Sequence, residues 1–376
     1  MNRSVTFGIV GGYGATGRIV VSELCKSSEG EILIGGRDLA RGKAMAAQWD
    51  ARASAAQLEI LDAHSLDDFC SRCSIIVNCA GPVMVLQDRV AQAAVRSRCH
   101  YIDAAGMSLV KERLLPHSGD LEASGLSFVI SAGWMPGISE LVPAYANALA
   151  RTRMEAIESL TVYFSDSGEW SANALRDAAW FIHQTGLRRA GYFRKGEWTR
   201  AKMSEAFRQV NLGEAVGSGR FVFYSTPELV EIGRQLKDCD VFTFTYLPGY
   251  RTALATTLMA LAPLPESWSI RMLRNAFRRN RLAVDGFVVA EIIGRAQGRR
   301  TTLKAQVVYR DRRDYWIHGV VLATAARMVS QRKGVRPGVH FLADAVDPIA
   351  FMAELRKAGV EQTETFGLPC KEAPPL

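Results

Sequence analysis

At 376 residues the chain is too long for one ordinary core and suits about two domains. Its 48% hydrophobic and 22% charged residues exclude a disordered or fibrous protein and describe a globular one. The net charge of +8 suits an anionic partner, and a phosphorylated small molecule is enough; no helix-turn-helix, zinc-finger or RNP-like spacing points to nucleic acid.

The first apolar run starts at Val5 and leaves no room for a secretory leader. The most apolar late stretch, 252–264, is too short to span a bilayer. The expectation is a cytoplasmic protein without a membrane partner. Seven cysteines are scattered singly, except Cys70-x-x-Cys73 between a helical pattern and a strand. No second pair completes a zinc site, so these read as reduced thiols, and no metal is expected.

Residues 5–17 read Val-Thr-Phe-Gly-Ile-Val-Gly-Gly-Tyr-Gly-Ala-Thr-Gly: a strand, a glycine turn and the start of a helix carrying Ile19, Val20, Val21 and Leu24. In that context Gly12-x-Gly14-x-x-Gly17 is a dinucleotide signal. Gly12 permits the tight turn, Gly14 lets a pyrophosphate approach the backbone, and Gly17 lets the helix pack on the strand. A second strand, 31–35, ends in Gly35-Gly36-Arg37, where an enzyme preferring NAD usually has an acid. A guanidinium there suits a 2′-phosphate, so NADP(H) is the expected cofactor. Asp38 reads as the N-cap of helix 39–49.

A third strand is predicted at 57–61, ending at Asp62, with a helix beginning at 65–69. The fourth, 74–79, ends in the small-residue turn Ala80-Gly81-Pro82. Helix 88–98 leads to strand 101–103, which ends at Asp103. A helical stretch, 111–124, breaks at Pro116. Strand 126–131 ends in Ala132-Gly133-Trp134-Met135-Pro136-Gly137, and a helix follows over 138–149. Strands alternating with helices predict an α/β, Rossmann-type, doubly wound parallel sheet.

The pattern then changes. Strands are predicted at 159–165, 220–224, 241–246, 286–295 and 301–310, and helices at 172–185, 227–237, 252–261 and 268–281. Residues 188–198 read as a loop. This is an inserted α+β domain on a mostly antiparallel sheet, the last two strands forming a hairpin. A helix at 319–331 and a helix opened by Asp347-Pro348 and closed by Gly359 follow. Residues 367–376 read as a loose tail.

Five segments carry a family resemblance: Gly12-Tyr-Gly-Ala-Thr-Gly17, Gly36-Arg37, Asn78-Cys-Ala-Gly-Pro82, Tyr101-Ile-Asp103 and Gly133-Trp-Met-Pro-Gly137. With these the chain resembles the saccharopine dehydrogenase-like oxidoreductases. The resemblance implies a nucleotide-binding domain at 1–150, an α+β substrate and dimerisation domain at 151–317, and a C-terminal segment, 318–376, returning to the first domain. It implies NAD(P)-dependent chemistry at a carbon–nitrogen bond: reduction of an imine formed from an amine and a carbonyl, or the reverse, on an amine or amino-acid substrate. A homodimer is the base-rate expectation.

The cofactor is expected along Gly12, Tyr13, Gly14, Ala15, Thr16, Gly17, Arg37, Asp62, Ala80, Gly81 and Pro82, with its nicotinamide near Asp103 and 133–137. Asp103 is a candidate for polarising an amine or binding ribose, and equally for capping. Trp134 is a candidate apolar wall, or plain packing. Arg251 is a candidate carboxylate clamp, or a solvated charge. Tyr224 and Glu228 flank the turn 225–227, where Glu228 reads as a first-turn acid favoured by the helix dipole. The basic amphipathic stretch 268–281 reads as a surface helix packed by its apolar stripe, with an anionic membrane as the alternative. Two other functions fit the same motifs: reduction of an apolar lipid or polyketide-type substrate, and a non-catalytic NADP sensor. None of the ten tyrosines has a lysine four residues on, which excludes an active short-chain dehydrogenase.

Overall fold

The apolar run Thr6–Val10 forms β1, buried from Phe7 onward. Parallel neighbours lie on both sides, so it needs no polar alternation. The computed structural model describes residues 5–166, 170–185, 190–202, 207–247, 249–262, 264–277, 284–310 and 315–369. After β1 come α1 (Gly17–Ser27), β2 (Glu31–Gly36), α2 (Leu39–Ala46), β3 (Ala53–Gln57), α3 (Ala63–Ser71) and β4 (Ile75–Asn78). Next are α4 (Val83–Leu86), α5 (Arg89–Arg96), β5 (His100–Asp103), α6 (Met107–Leu114), α7 (Ser118–Ala123) and β6 (Ser127–Ile130).

The chain then builds α8 (Ile138–Arg153), β7 (Ala156–Asp166), α9 (Ala172–Thr185), β8 (Gly191–Arg194), β9 (Glu197–Arg200), β10 (Phe207–Asn211) and β11 (Ser218–Phe223). It continues through α10 (Pro227–Gln235), β12 (Asp240–Tyr246), α11 (Tyr250–Leu261), α12 (Glu266–Phe277), β13 (Gly286–Ala296) and β14 (Arg299–Tyr309). It returns as α13 (Trp316–Ser330), β15 (Gly338–Phe341), α14 (Leu342–Ala345) and α15 (Pro348–Lys357), and ends in β16 (Gln362–Pro369).

Two compact units result: 1–138 with 314–358, and 139–313 with 359–376. The first holds an all-parallel sheet in the order β15-β6-β5-β4-β1-β2-β3. This is the doubly wound sheet expected, with β15 added as an outer strand beside β6. α13 lies against α1, where a Cβ on Gly319 would stand 2.5 Å from the Ile19 side chain. That close approach is why glycine stands at 319. Asp347 caps α15 through the Ala350 N–H at 2.7 Å, and Gly359 follows the helix with φ +89°.

Two predictions for this unit need correction. The third strand is Ala53–Gln57, not 57–61, in register with Ile32–Gly36 of β2. Its residues are small and half exposed, as suits an edge strand, while Leu58 turns inward just beyond it under Gly35. The alternation of Leu58 and Ile60 imitated a strand that the backbone does not form. The helix read as 39–49 stops at Ala46 and continues as a 3₁₀ stretch, Ala47–Arg52.

The second unit holds a mixed sheet in the order β10-β11-β12-β7-β13-β14-β16, with β8 pairing β12 and β9. Among the described residues only β7 and β12 pair in parallel within it. One face buries an aromatic core that includes Tyr163, Tyr192, Phe221, Phe242, Phe244 and Phe287. The stretch 188–198, read as a loop, contributes strands β8 and β9, turned by Lys195 and Gly196 at φ +49° and +86°. Two left-handed residues suit a tight hairpin turn. Residues 362–369 of the segment expected to return to the first unit form β16, paired with β14 of the second; of the tail read as loose, 367–369 belong to this strand and 370–376 lie outside the described residues.

α9, α11 and α12 bury Leu175, Ala179, Met259 and Leu273 together. On α12, Ser269, Leu273 and Ala276 face inward, and Trp268, Arg271 and Arg274 face solvent. The remainder of the basic stretch, 278–281, lies outside the described residues. No helix among the described residues is long and apolar enough to cross a membrane.

Candidate nucleotide-binding site

The carboxyl ends of β1, β4, β5 and β6 share one edge of the parallel sheet, the edge where open α/β sheets hold ligands. At the end of β1 the chain turns sharply. Gly11 takes φ +73°, and its N–H donates to Gly35 O at 2.8 Å. A Cβ on Gly17 would lie 2.3 Å from Gly11 O and 2.6 Å from Gly12 Cα, so only glycine lets α1 start there. A Cβ on Gly14 would meet only Gly11 O, at 3.0 Å. Gly14 therefore leaves an open approach to the backbone. Thr16, at the head of α1, makes no side-chain cap, and the first turn carries no acid. The first-turn N–H groups of Arg18 and Ile19 donate to Gly14 O and Thr16 O at 3.1 and 3.0 Å, and the helix dipole and the N–H of Gly17 at the very start of α1 are what it offers an anion. This cradle fits the pyrophosphate of a dinucleotide.

At the end of β2 the Tyr13 ring lies over Gly36, where a Cβ would come within 2.4 Å of it. The Tyr13 hydroxyl accepts from the Asp38 N–H at 2.9 Å, and Asp38 caps α2 through the Arg41 N–H at 3.0 Å. The Arg41 guanidinium sits 4.8 Å from the Tyr13 ring centre. Arg37 is exposed beside them, with no ion pair among the described residues. Arg41 joins this group although nothing in the sequence marked it: a helical arginine three residues after an N-cap looks like any solvated charge. Asp62 does not end a strand. Its Oδ1 caps α3 through the His64 and Ser65 N–H groups at 2.9 and 3.5 Å.

At the end of β4, Asn78 is buried; its Oδ1 accepts from the Ala80 N–H at 3.1 Å and its Nδ2 donates to the Tyr101 hydroxyl at 3.2 Å. This sets the turn Ala80-Gly81-Pro82 beside the glycine loop, with Ala80 Cα 3.4 Å from a Cβ built on Gly11.

Asp103 is 2% exposed at the end of β5. Its Oδ1 accepts from the Gly106 and Ser131 N–H groups at 2.6 and 3.0 Å, and the Ser131 hydroxyl accepts from the Met107 N–H at 3.0 Å. Met107 and Ser131 have φ +52° and +62°, and this network holds both in the left-handed region. Burial raises the Asp103 carboxyl to about 6, against the lowering effect of those N–H groups. Of its two expected roles, the geometry displays capping.

After β6 the loop closes on itself through Gly133 N–H to Pro136 O at 3.1 Å and Ile138 N–H to Gly133 O at 3.2 Å. Trp134 has no solvent exposure, so it is core and not a wall facing a substrate. Its backbone N–H donates to Nδ1 of His318 at 3.3 Å. His318 stands in the first turn of α13, half-buried, and burial pushes its pKa down to about 4. Sequence reading missed it because its partner lies 184 residues away.

The remaining candidates belong to the second unit. Tyr224 is half-buried, with its ring 6.2 and 6.3 Å from those of Phe164 and Phe181. Glu228 stands in the first turn of α10 but is 2% exposed rather than solvated. Nearby in sequence, Thr226 caps α10 and donates to the buried Glu140 at 2.7 Å, which also accepts from Ser139 at 2.7 Å. Arg251 falls in the first turn of α11, and its side chain lies outside the described residues.

The Cys70 and Cys73 thiols are free. Burial pushes Cys70 up to about 12 and Cys73 higher still, which suits inert thiols. Among the described residues no group of three or more His, Cys, Asp or Glu could hold a metal ion.

Comparison with known proteins agrees with this geometry. Residues 7–129 match the family described as the saccharopine dehydrogenase NADP binding domain. A probable mitochondrial saccharopine dehydrogenase-like oxidoreductase of Arabidopsis thaliana is 30% identical over 138 residues, 33% of this chain. That match spans only 30% of the relative's own length. The apo saccharopine dehydrogenase (L-Glu forming) of Saccharomyces cerevisiae shares the fold, with a TM-score of 0.64 and 14% identity over 96% of this chain and 99% of that one. Residues 7–129 are thus similar to the NADP-binding domain of saccharopine dehydrogenases, and the whole chain shares the fold of a saccharopine dehydrogenase.

Proposed function

We propose that the chain is an NADPH-dependent oxidoreductase that reduces an imine, joining an amine or amino acid to a carbonyl compound, or runs the reverse oxidation. The observation that carries the reading is the glycine cradle at the head of α1, continued at β2 by Tyr13, Arg37 and Arg41. The α1 N-terminus holds the pyrophosphate through backbone N–H groups. Arg37 reads the 2′-phosphate with a planar, always-charged fork, and Arg41 on the Tyr13 ring adds a second positive charge. Bound there, the cofactor supplies the hydride. The protein supplies orientation and excludes water. An iminium carbon is already electrophilic, so a strong acid beside it is not required. What supports the C–N part is the likeness to proteins named saccharopine dehydrogenase.

The test is a titration of the purified chain with NADPH and NADH, repeated on Arg37→Ala. Losing charge-assisted bonds to the 2′-phosphate costs about 1.5–3 kcal/mol, so NADPH should bind roughly 10- to 100-fold more weakly while NADH is unchanged. Equal loss for both cofactors, or for neither, removes Arg37 as the phosphate reader. For the reaction, NADPH consumption is followed with amines paired with oxo acids and aldehydes. Tight NADPH binding with no consumption by any pair would refute the imine reading and leave the sensor.

A further inference from the structure

We infer that His318 donates a hydrogen bond from Nε2–H to the carboxamide oxygen of the nicotinamide; this rests on the NADP reading above. Four observations converge on it. The first is place. His318 precedes Gly319, whose built Cβ would lie 3.3 Å from Thr16 O, so the start of α13 adjoins the glycine loop of β1. The ring also reaches the loop after β6, since a Cβ on Gly133 would stand 3.0 Å from His318 Nδ1. In the sheet, β4, β5 and β6 lie on the side of β1 opposite to β2. A dinucleotide crossing that edge with its 2′-phosphate at Arg37 carries its nicotinamide toward β4, β5 and β6. His318 stands at that end.

The second is the tautomer. Nδ1 accepts the Trp134 N–H at 3.3 Å, and an accepting Nδ1 in a neutral ring puts the proton on Nε2. The third is charge. Burial holds the pKa at about 4, so the ring is neutral at neutral pH, and its donor suits a neutral carbonyl oxygen better than a phosphate. The fourth is that Nε2–H finds no protein acceptor among the described residues, although the ring is only half-buried. A donor already carrying its proton cannot act as a base. It fixes the carboxamide, and with it the face of the nicotinamide that a substrate meets. Trp134 and His318 both lie beyond the 7–129 stretch matched by the nucleotide-binding family.

The experiment uses the full chain with ¹⁵N-labelled histidine. Six histidines are present, and His318→Asn assigns the resonance of interest. The chain is titrated with NADP⁺ and, separately, with adenosine 2′,5′-bisphosphate, which lacks the nicotinamide half. The expected result is that NADP⁺ moves the His318 Nε2–H resonance and the bisphosphate leaves it in place. His318→Ala should weaken NADPH about five- to tenfold, one hydrogen bond, with the bisphosphate affinity unchanged. His318→Asn, whose amide can accept from Trp134 and donate outward, should recover part of the loss. A histidine that only supports the loop would keep its resonance under NADP⁺, or respond equally to both ligands; either result overturns the inference. Bisphosphate binding also reports whether His318→Ala folds, and the wild-type resonance does not depend on any variant. If the wild type binds neither ligand, the NADP reading fails and the inference falls with it. If it binds the bisphosphate and His318→Ala binds NADPH normally, only the role of His318 fails.

Discussion

The glycine loop separates two requirements that a motif match merges, and Gly14→Ala against Gly17→Ala tells them apart. At Gly17 an added methyl would stand 2.3 Å from Gly11 O, 2.6 Å from Gly12 Cα and 2.9 Å from Gly11 C. All three are backbone atoms, so α1 or the turn must move. Overpacking of this kind costs about 1–3 kcal/mol, and for a unit of this size each kcal/mol lowers the melting temperature by roughly 2–4 °C. At Gly14 the methyl meets only Gly11 O at 3.0 Å, and the backbone is not left-handed. The neighbour yields by a few tenths of an ångström, offset by the lower entropy of the unfolded chain, so stability should stay within about 1 kcal/mol of wild type. The same methyl fills the approach to the backbone. A phosphate held off by it loses one or two charge-assisted bonds, each worth about 1.5–3 kcal/mol, and NADPH affinity should fall at least about tenfold.

Calorimetry without nucleotide and a fluorescence titration with NADPH measure the two effects. The expected pattern is a normal melting temperature with poor binding for Gly14→Ala, and a lowered melting temperature for Gly17→Ala. Normal NADPH affinity in Gly14→Ala would show that no pyrophosphate passes over this residue. A normal melting temperature in Gly17→Ala would show that the turn relaxes freely and that the close-packing argument is wrong.

Two further outcomes concern stability. Asp103 and His318 respond to pH in opposite directions over nearly the same range. The folded chain keeps the Asp103 proton up to about pH 6 against an ordinary 3.8, so its stabilisation, about 3 kcal/mol at 1.36 kcal/mol per pH unit, is full below 3.8 and lost as pH rises through 6. His318 resists protonation down to about 4 against an ordinary 6.5, so its contribution, again about 3 kcal/mol, is present above 6.5 and lost as pH falls toward 4. Urea midpoints should show Asp103→Asn losing stability relative to wild type on acidification from 6.5 to 4, and His318→Asn gaining it; parallel profiles for all three proteins would refute both assignments. Thr226→Val removes the α10 cap and a hydroxyl bonded to buried Glu140, which should cost about 2–4 kcal/mol, with Thr226→Ser near wild type in the same assay; a silent valine would mean that Glu140 finds another donor.

What the sequence made legible follows from how local each constraint is. Gly12, Gly14 and Gly17 act within one turn, so their spacing alone announces strand, turn and helix. Asp38 and Asp347 cap helices three residues away, and both were readable for the same reason. β3 was misplaced because Ala53–Gln57 has no apolar rhythm: an edge strand with half-exposed small residues needs none, and Leu58 and Ile60 supplied a false one. β15 and β16 escaped notice because their pairing is set by strands far along the chain, β6 and β14. The β8–β9 hairpin did have a local signal, Lys195-Gly196 between Tyr192-Phe193 and Trp198, which the basic and glycine-rich surroundings concealed.

The same contrast explains why the cofactor is easier to read than the chemistry. The proposed phosphate end draws on residues 11–41, contiguous in sequence and inside the matched 7–129 stretch. The proposed reactive end draws on two distant pieces. Loop 133–137 follows β6, and α13 comes back after the whole second unit has been made. Gly319 allows α13 to lie on α1, and His318 then meets Trp134 through a single hydrogen bond across 184 residues. No periodicity or motif spacing encodes such a meeting; only the completed sheet, with β15 beside β6 and α13 against α1, brings the two pieces together. A fragment ending at residue 138 would retain the glycine turn but lack His318, the helix beside α1 and the outer strand. Its failure to hold NADPH would therefore say nothing against the phosphate loop, and the cofactor site has to be probed in the full chain.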